Sequence, residues 1–231
     1  MKPLAIITGV GPGTGAALAR RFHAGGYRVA MLARDANRLD ALAEELPGSI
    51  AIGCDVGDPA ALAQALDRAA AEGGDPKVLI HNAVGGAIGS FLDVEPSVLE
   101  VNFHVNVMAL YHMARWGAER MKAQGGAILV TGNTSSERGR ARFAGFAPTK
   151  AAQRILTESI ARELWPLGIH VAYFVIDAVI DVPWTRERFA GKPDDFFIQP
   201  ADIADEAFHV AHQPKSAWSF RTEIRPFGED W

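Results

Sequence analysis

The sequence predicts an α/β protein: a doubly wound, three-layer sandwich with a seven-stranded parallel sheet between two layers of helices. Three observations predict it. Short apolar runs of β character alternate with helical stretches seven times. A glycine-rich turn, Thr8-Gly9-Val10-Gly11-Pro12-Gly13-Thr14-Gly15, joins the first run to the first helix. No linker, repeat or composition break interrupts the 231 residues, so one domain is expected over 1–231.

The first strand is Leu4-Ala5-Ile6-Ile7, and Ala16 to Phe22 form the first helix, stopped by Gly25-Gly26. Strand, glycine turn and helix in this order make a phosphate cradle. Gly9, Gly11, Gly13 and Gly15 let the backbone turn sharply and let a pyrophosphate approach, and the N-terminus of the helix that follows offers unpaired N–H groups and a positive dipole end. Tyr27 to Ala33 is the second strand. Asn37 to Leu46 is helical, with Leu39, Leu42 and Leu46 at helical spacing. Ser49 to Cys54 is the third strand. Pro59 opens a helix as its first residue, and Ala60 to Ala71 continue it by propensity. Val78-Leu79-Ile80 is the fourth strand. One long helix is expected from Ser97 to Lys122, then a strand over Ala127 to Thr131, a helix over Pro148 to Trp165 and a strand over Ile169 to Ile176. Residues 177–199, rich in Asp, Pro, Trp and Phe, read as a substrate-side loop or lid. Pro200 to His212 is helical and Ser219 to Ile224 is the last strand.

Composition narrows the function. Hydrophobic residues make up 48 % and charged residues 22 %, ordinary for a soluble protein. A formal net charge of -4 gives nucleic-acid binding no support. The one cysteine, Cys54, fits a reducing compartment. Met1-Lys2-Pro3 leads straight into the first strand, leaving no room for a signal peptide, and no apolar run reaches the ~18–20 residues of a membrane span. A cytoplasmic protein is expected. The seven histidines are scattered; His209 and His212 share a helix face without a third ligand, so no metal site is expected.

These landmarks make the chain resemble the short-chain dehydrogenase/reductase family, whose fold is Rossmann-type, over nearly its whole length. The Thr8 to Gly15 turn has that family's Thr-Gly-x-x-x-Gly-x-Gly pattern. Asp55-Val56 matches its Asp-Val pair, whose carboxylate holds the adenine amino group. His81-Asn82-Ala83-Val84 resembles its Asn-Asn-Ala-Gly segment, with Asn82 and Ala83 in place and His and Val at the ends. Asn106 matches its active-site asparagine, and Lys150 the lysine of its Tyr-x-x-x-Lys motif. The departures gather at the chemistry: Phe146 stands where the tyrosine belongs, Asn133 where the serine belongs, Ile176-Asp177 replaces Pro-Gly, and Asp181 replaces a threonine.

The resemblance implies an NAD(P)(H)-dependent oxidoreductase that moves a hydride to or from a small carbonyl, hydroxy or activated C=C substrate. In ordinary members the tyrosine hydroxyl protonates the substrate oxygen. The lysine at i+4 lowers that phenol's pKa and holds the nicotinamide ribose, the serine fixes the oxygen, and the asparagine supports the proton relay. Phe146 has no proton to give. Asn133 keeps an N–H donor but does not titrate. Asp177 and Asp181 are candidate replacement acids, though loop carboxylates are more often solvated or capping. Thr149 and Ser135 lie nearby without the register of the lost hydroxyl. Phe143 occupies the position that some enoyl reductases of the superfamily give to tyrosine, and dienoyl reductases of the superfamily dispense with the usual tyrosine. Arg34 ends the second strand where NAD-binding members carry an acid, and a guanidinium suits a 2′-phosphate, so NADP(H) is favoured over NAD(H) although Asp35 follows. The alternative is a catalytically silent NADP(H)-binding sensor or partner subunit. By resemblance, the helices Ser97–Lys122 and Pro148–Trp165 would build a homodimer or homotetramer. The terminal Arg225 to Trp231 would close over a neighbouring subunit or its own sheet.

Overall fold

The seven apolar runs pair side by side in one direction. In a computed structural model, whose described residues are 2–228, the strands β1 (Leu4–Thr8), β2 (Arg28–Ala33), β3 (Ile50–Gly53), β4 (Pro76–His81), β5 (Gly126–Asn133), β6 (Ile169–Ile176) and β9 (Arg221–Ile224) form a sheet of order β3-β2-β1-β4-β5-β6-β9. Every pairing is parallel. Strands buried on both faces have no polar side to show, which is why β1 and β6, buried at every residue, are apolar but for Thr8 and His170. Alternate residues enter opposite cores. Leu4, Ile6, Leu79 and Val130 pack with α3 (Pro59–Gly73), α5 (Ala109–Met121) and α6 (Ala147–Leu164), whereas Ala5, Ile7, Ile80 and Leu129 pack with α1 (Thr14–Ala24), α2 (Ala36–Glu45) and α8 (Pro200–Ala211). The chain order reverses between β1 and β4, so the crevice beyond their carboxyl ends is the natural ligand site.

Helix starts follow local chemistry. Asp58 accepts hydrogen bonds from the Ala60 and Ala61 N–H groups, with Pro59 first in α3. Asp35 caps α2 through the Arg38 N–H.

Two expectations are corrected. The helix expected over Ser97 to Lys122 is interrupted: α4 (Pro96–Phe103) passes through a π-helical turn, His104–Met108, before α5 begins. Asn106 lies in that turn, gripping Gly85 through its side chain, and neither feature leaves a trace in helical periodicity. The stretch expected to be a loop is folded in part. Between Asp177 and Gln199 lie β7 (Val179–Ile180), α7 (Pro183–Arg188) and β8 (Phe197–Ile198), with β7 and β8 forming a second, two-stranded parallel sheet. Its aromatic residues mostly pack on one another: the Phe189, Phe196 and Phe197 rings meet in succession and the Arg186 guanidinium lies over Phe197, while Trp184 stays exposed. Of the terminal segment, Glu229 to Trp231 lie outside the described residues; Arg225 pairs with Asp177 at 3.4 Å and with Glu223.

Gly132 gives a direct test of the packing. It sits on β5 beside β6, and a methyl group there would overlap the ring and hydroxyl of the fully buried Tyr173. Gly132→Ala is expected to cost ~1–3 kcal/mol by overpacking, a fall in melting temperature of roughly 2–10 °C. Gly139→Ala, with no atom within 4 Å of the added methyl, is the matched control that should melt with the parent.

Candidate active site

The cradle is built by close backbone approach. Gly9 has φ +70°, and a Cβ on it would come 2.5 Å from the Ala83 Cα. A Cβ on Gly15 would collide with the Gly9 carbonyl, and one on Gly13 would lie 2.8 Å from Val182 Cγ1. Gly11 differs: nothing of the protein lies within 4 Å of its Cβ direction, so that space is open to an approaching ligand. The Thr14 hydroxyl, at the first residue of α1, is buried without a hydrogen-bond partner among the described residues. Open space over Gly11, an unpartnered hydroxyl and a helix N-terminus without an acidic first turn fit the pyrophosphate that the resemblance implies. Asn82 braces the cradle: its Nδ2 donates to the Gly9 carbonyl at 2.8 Å and its Oδ1 accepts from the Thr131 hydroxyl at 3.0 Å, joining β1, β4 and β5. Ala83 contributes close backbone contact, its N–H 3.5 Å from the Thr8 hydroxyl.

At the adenine end, Asp55 is exposed just beyond β3, with one carboxylate oxygen accepting from the Gly57 N–H at 2.9 Å, and Val56 is buried beside it. Arg34 and Asp35 differ in their local partners. Asp35 is committed to capping α2 and pairs with Arg38 at 3.1 Å. Arg34 is exposed and forms no hydrogen bond or ion pair with the other described residues.

The catalytic-side residues converge on the π turn. Asn106 is fully buried; its Oδ1 accepts from the Gly85 N–H at 2.9 Å, and its Nδ2 donates to the Gly85 carbonyl and to the Thr149 hydroxyl, each at 2.8 Å. Both of its amide N–H groups are in use. Thr149 in turn donates to the Phe146 carbonyl at 2.8 Å. Lys150 is 2 % exposed, not a solvated helix lysine; its Nζ donates to the Thr131 carbonyl at 3.0 Å and to Gln153 Oε1 at 2.5 Å. Burial lowers its pKa from 10.5 to about 7. His81, buried beneath it, contacts the Thr8 hydroxyl through Nδ1 at 3.1 Å and is held neutral, its pKa pushed down to about 3 chiefly by burial and then by the Lys150 charge. Gln153 escaped the sequence reading. A glutamine one turn beyond Lys150 carries no signal until its partners across the fold are known.

Phe146 holds the residue position just before α6, with its ring against Gly86 and 6.4 Å from the Phe143 ring. Asn133 ends β5, its Oδ1 taken by the Ser135 N–H at 3.0 Å. Both loop acids are engaged by arginines. Asp181 accepts two hydrogen bonds from Arg186, at 2.6 and 2.7 Å, and one from Gln199 at 2.7 Å, which hold its carboxyl down at about 2. A group ionised that far below neutral pH has no proton to donate. Asp177 is paired with Arg225. His209 lies on α8, and His212, just past its end, is engaged through both ring nitrogens, to the Tyr27 hydroxyl and the Phe208 carbonyl.

A sequence profile described as short chain dehydrogenase matches residues 3–192. The chain belongs to the short-chain dehydrogenase family. It is 34 % identical over 169 residues to D-erythrulose reductase of Gallus gallus, covering 72 % of this chain and 67 % of that protein. A short-chain dehydrogenase from Rhodopseudomonas palustris superposes with a TM-score of 0.84 at 31 % identity, covering 97 % of this chain and 99 % of that one. A metagenomic short-chain oxidoreductase solved in complex with NADP gives a TM-score of 0.84 at 27 % identity, covering 97 % of each chain. As a short-chain dehydrogenase this protein is an oxidoreductase by family with a Rossmann fold, and no helix among its described residues is long and apolar enough to cross a membrane.

Proposed function

We propose that this short-chain dehydrogenase is an NADP(H)-dependent oxidoreductase, the whole chain acting as one dinucleotide-binding unit, and that its atypical site favours an activated C=C over a simple carbonyl. The observation that carries the cofactor reading is Arg34, unpaired beside an Asp35 already spent on the helix cap. The NADP complex of a relative with the same fold supports it. Gly9, Gly11, Gly13, Thr14 and Gly15 would hold the pyrophosphate, Asp55 and Val56 the adenine, Ala83 the cofactor's adjoining face, and Lys150 the nicotinamide ribose. NADP(H), when bound, supplies or accepts the hydride.

The substrate preference follows from proton supply. Phe146 carries no hydroxyl, both Asn106 amide N–H groups are engaged and an amide is no acid, and Asp177 and Asp181 are ion-paired. Asn133 can orient a substrate oxygen through its amide but cannot release a proton. A conjugated C=C needs its proton on carbon, where solvent can deliver it. The reductases among its relatives, D-erythrulose reductase included, keep carbonyl substrates in the panel. The same closed network favours a second reading, a silent NADP(H)-binding partner or sensor. The exposed Ile155 and Tyr111 on the long helices are consistent with a homodimer or homotetramer.

Titration with NADPH and NADH tests the cofactor. NADPH is expected to bind at least about tenfold tighter than NADH, and Arg34→Ala is expected to weaken NADPH by roughly 10–100-fold while leaving NADH within about threefold. Absence of binding by either nucleotide would overturn the proposal. An aldehyde, ketone and enoyl panel then separates the enzyme from the silent binder.

A further inference from the structure

Gln153 is buried, and both ends of its amide are engaged. Nε2 donates to the Asn106 carbonyl at 2.8 Å, and Oε1 accepts from Lys150 Nζ at 2.5 Å. The Asn106 carbonyl belongs to the π turn, where the regular helical ladder is broken. The Thr131 carbonyl of β5 takes a second Lys150 N–H at 3.0 Å. An ammonium has three donors, so two are fixed by neutral acceptors from two separate elements and one is left. No carboxylate forms an ion pair with Lys150 among the described residues. The charge of Lys150 is thus held by dipoles, and Gln153 provides the shorter contact. Without it, a flexible four-carbon side chain would regain rotamers and lose a fixed direction for its remaining donor.

We propose that Gln153 is a positioning residue for the nicotinamide half of the cofactor: it clamps Lys150 between the π turn and β5 so that the third N–H meets the ribose. This rests on the cofactor reading above. Gln153 itself touches no ligand; it acts through Lys150.

The test compares NADPH with adenosine 2′,5′-bisphosphate, which carries the adenine, its ribose and the 2′-phosphate but no nicotinamide half. Gln153→Met keeps the length and removes both hydrogen bonds. It is expected to weaken NADPH about tenfold while the bisphosphate stays within about twofold, because a hydrogen bond to a charged group is lost at one end of the cleft only. The fluorescence of bound NADPH should shift toward that of the free nucleotide. Gln153→Glu keeps an acceptor for Lys150 and should recover most of the NADPH affinity. Gln153→Asn is too short to reach both partners, carries the same expectation as Gln153→Met, and serves if that variant fails to fold. Variants that bind NADPH like the parent, that lose both ligands equally, or a Gln153→Glu protein as impaired as Gln153→Met would overturn the proposal. A parent protein that fails to bind NADPH would overturn the cofactor reading itself, a separate result.

Discussion

Phe146→Tyr combined with Asn133→Ser is expected to raise carbonyl reduction by about 10²–10⁴-fold over the parent, the usual contribution of a positioned general acid. The scaffold is ready for it. Phe146 sits immediately before α6 with its ring against Gly86, and Lys150 lies four residues on, one turn away on the same helix face. A phenol titrates near pH ~10 when free and needs a nearby cation to act at neutral pH. Lys150 is buried within reach of that face, but its pKa of about 7 means that it carries the charge only in part at neutral pH. The gain should therefore be larger on the acid side of neutrality. Phe146→Tyr alone should supply most of the effect, because Asn133 already offers an amide donor. NADPH consumption with a ketone panel measures it. A double variant that binds NADPH normally and gains nothing would show that the missing hydroxyl is not what limits the parent.

The stability of the ligand-free protein should rise with pH between about pH 7 and pH 9, by up to ~1.4 kcal/mol per pH unit. The sign follows from Lys150. Its pKa is 10.5 in an unfolded chain and about 7 when folded. Between those values the unfolded chain binds a proton that the folded chain does not, so raising pH favours the folded form; the stability is complete above the unfolded value and is lost as pH falls through the folded one. Two other groups set the window. His81, lowered from 6.5 to about 3, makes its contribution below pH 6.5, where stability is likewise lost on acidification. Cys54, raised from 9.0 to about 11 mainly by burial, works in the opposite sense above pH 9.0. Urea unfolding at several pH values should show the rise, and Lys150→Met should flatten it. A Lys150→Met protein with the parent's slope would refute the assignment. The effect is a sizeable part of the ~5–15 kcal/mol by which domains are stable.

Much of the molecule was legible in its residues. The runs of β character became the seven parallel strands; central ones such as β1 and β6 are buried on both faces and mostly apolar, whereas the edge strand β9 is half-exposed. Gly9 and Gly15 marked the tight turn because no other side chain fits against Ala83 and the Gly9 carbonyl. Only the resemblance to the family makes Phe146 stand where a tyrosine is expected and Asn133 where a serine is expected. The loop acids, in contrast, looked available until Arg186, Gln199 and Arg225 were seen to engage them.

The sequence by itself determined the order of elements and the glycine-rich turn, since these depend on backbone preference, polarity and spacing along one segment. Only the tertiary structure decided that Asn106 lies in a π turn, that Asp35 is consumed while Arg34 stays unpaired, and that Gln153 links Lys150 to the Asn106 carbonyl, 47 residues before Gln153 in the chain. Those outcomes depend on which buried donors and acceptors face each other once helices pack on the sheet, and each such group must find a partner wherever the fold happens to bring one.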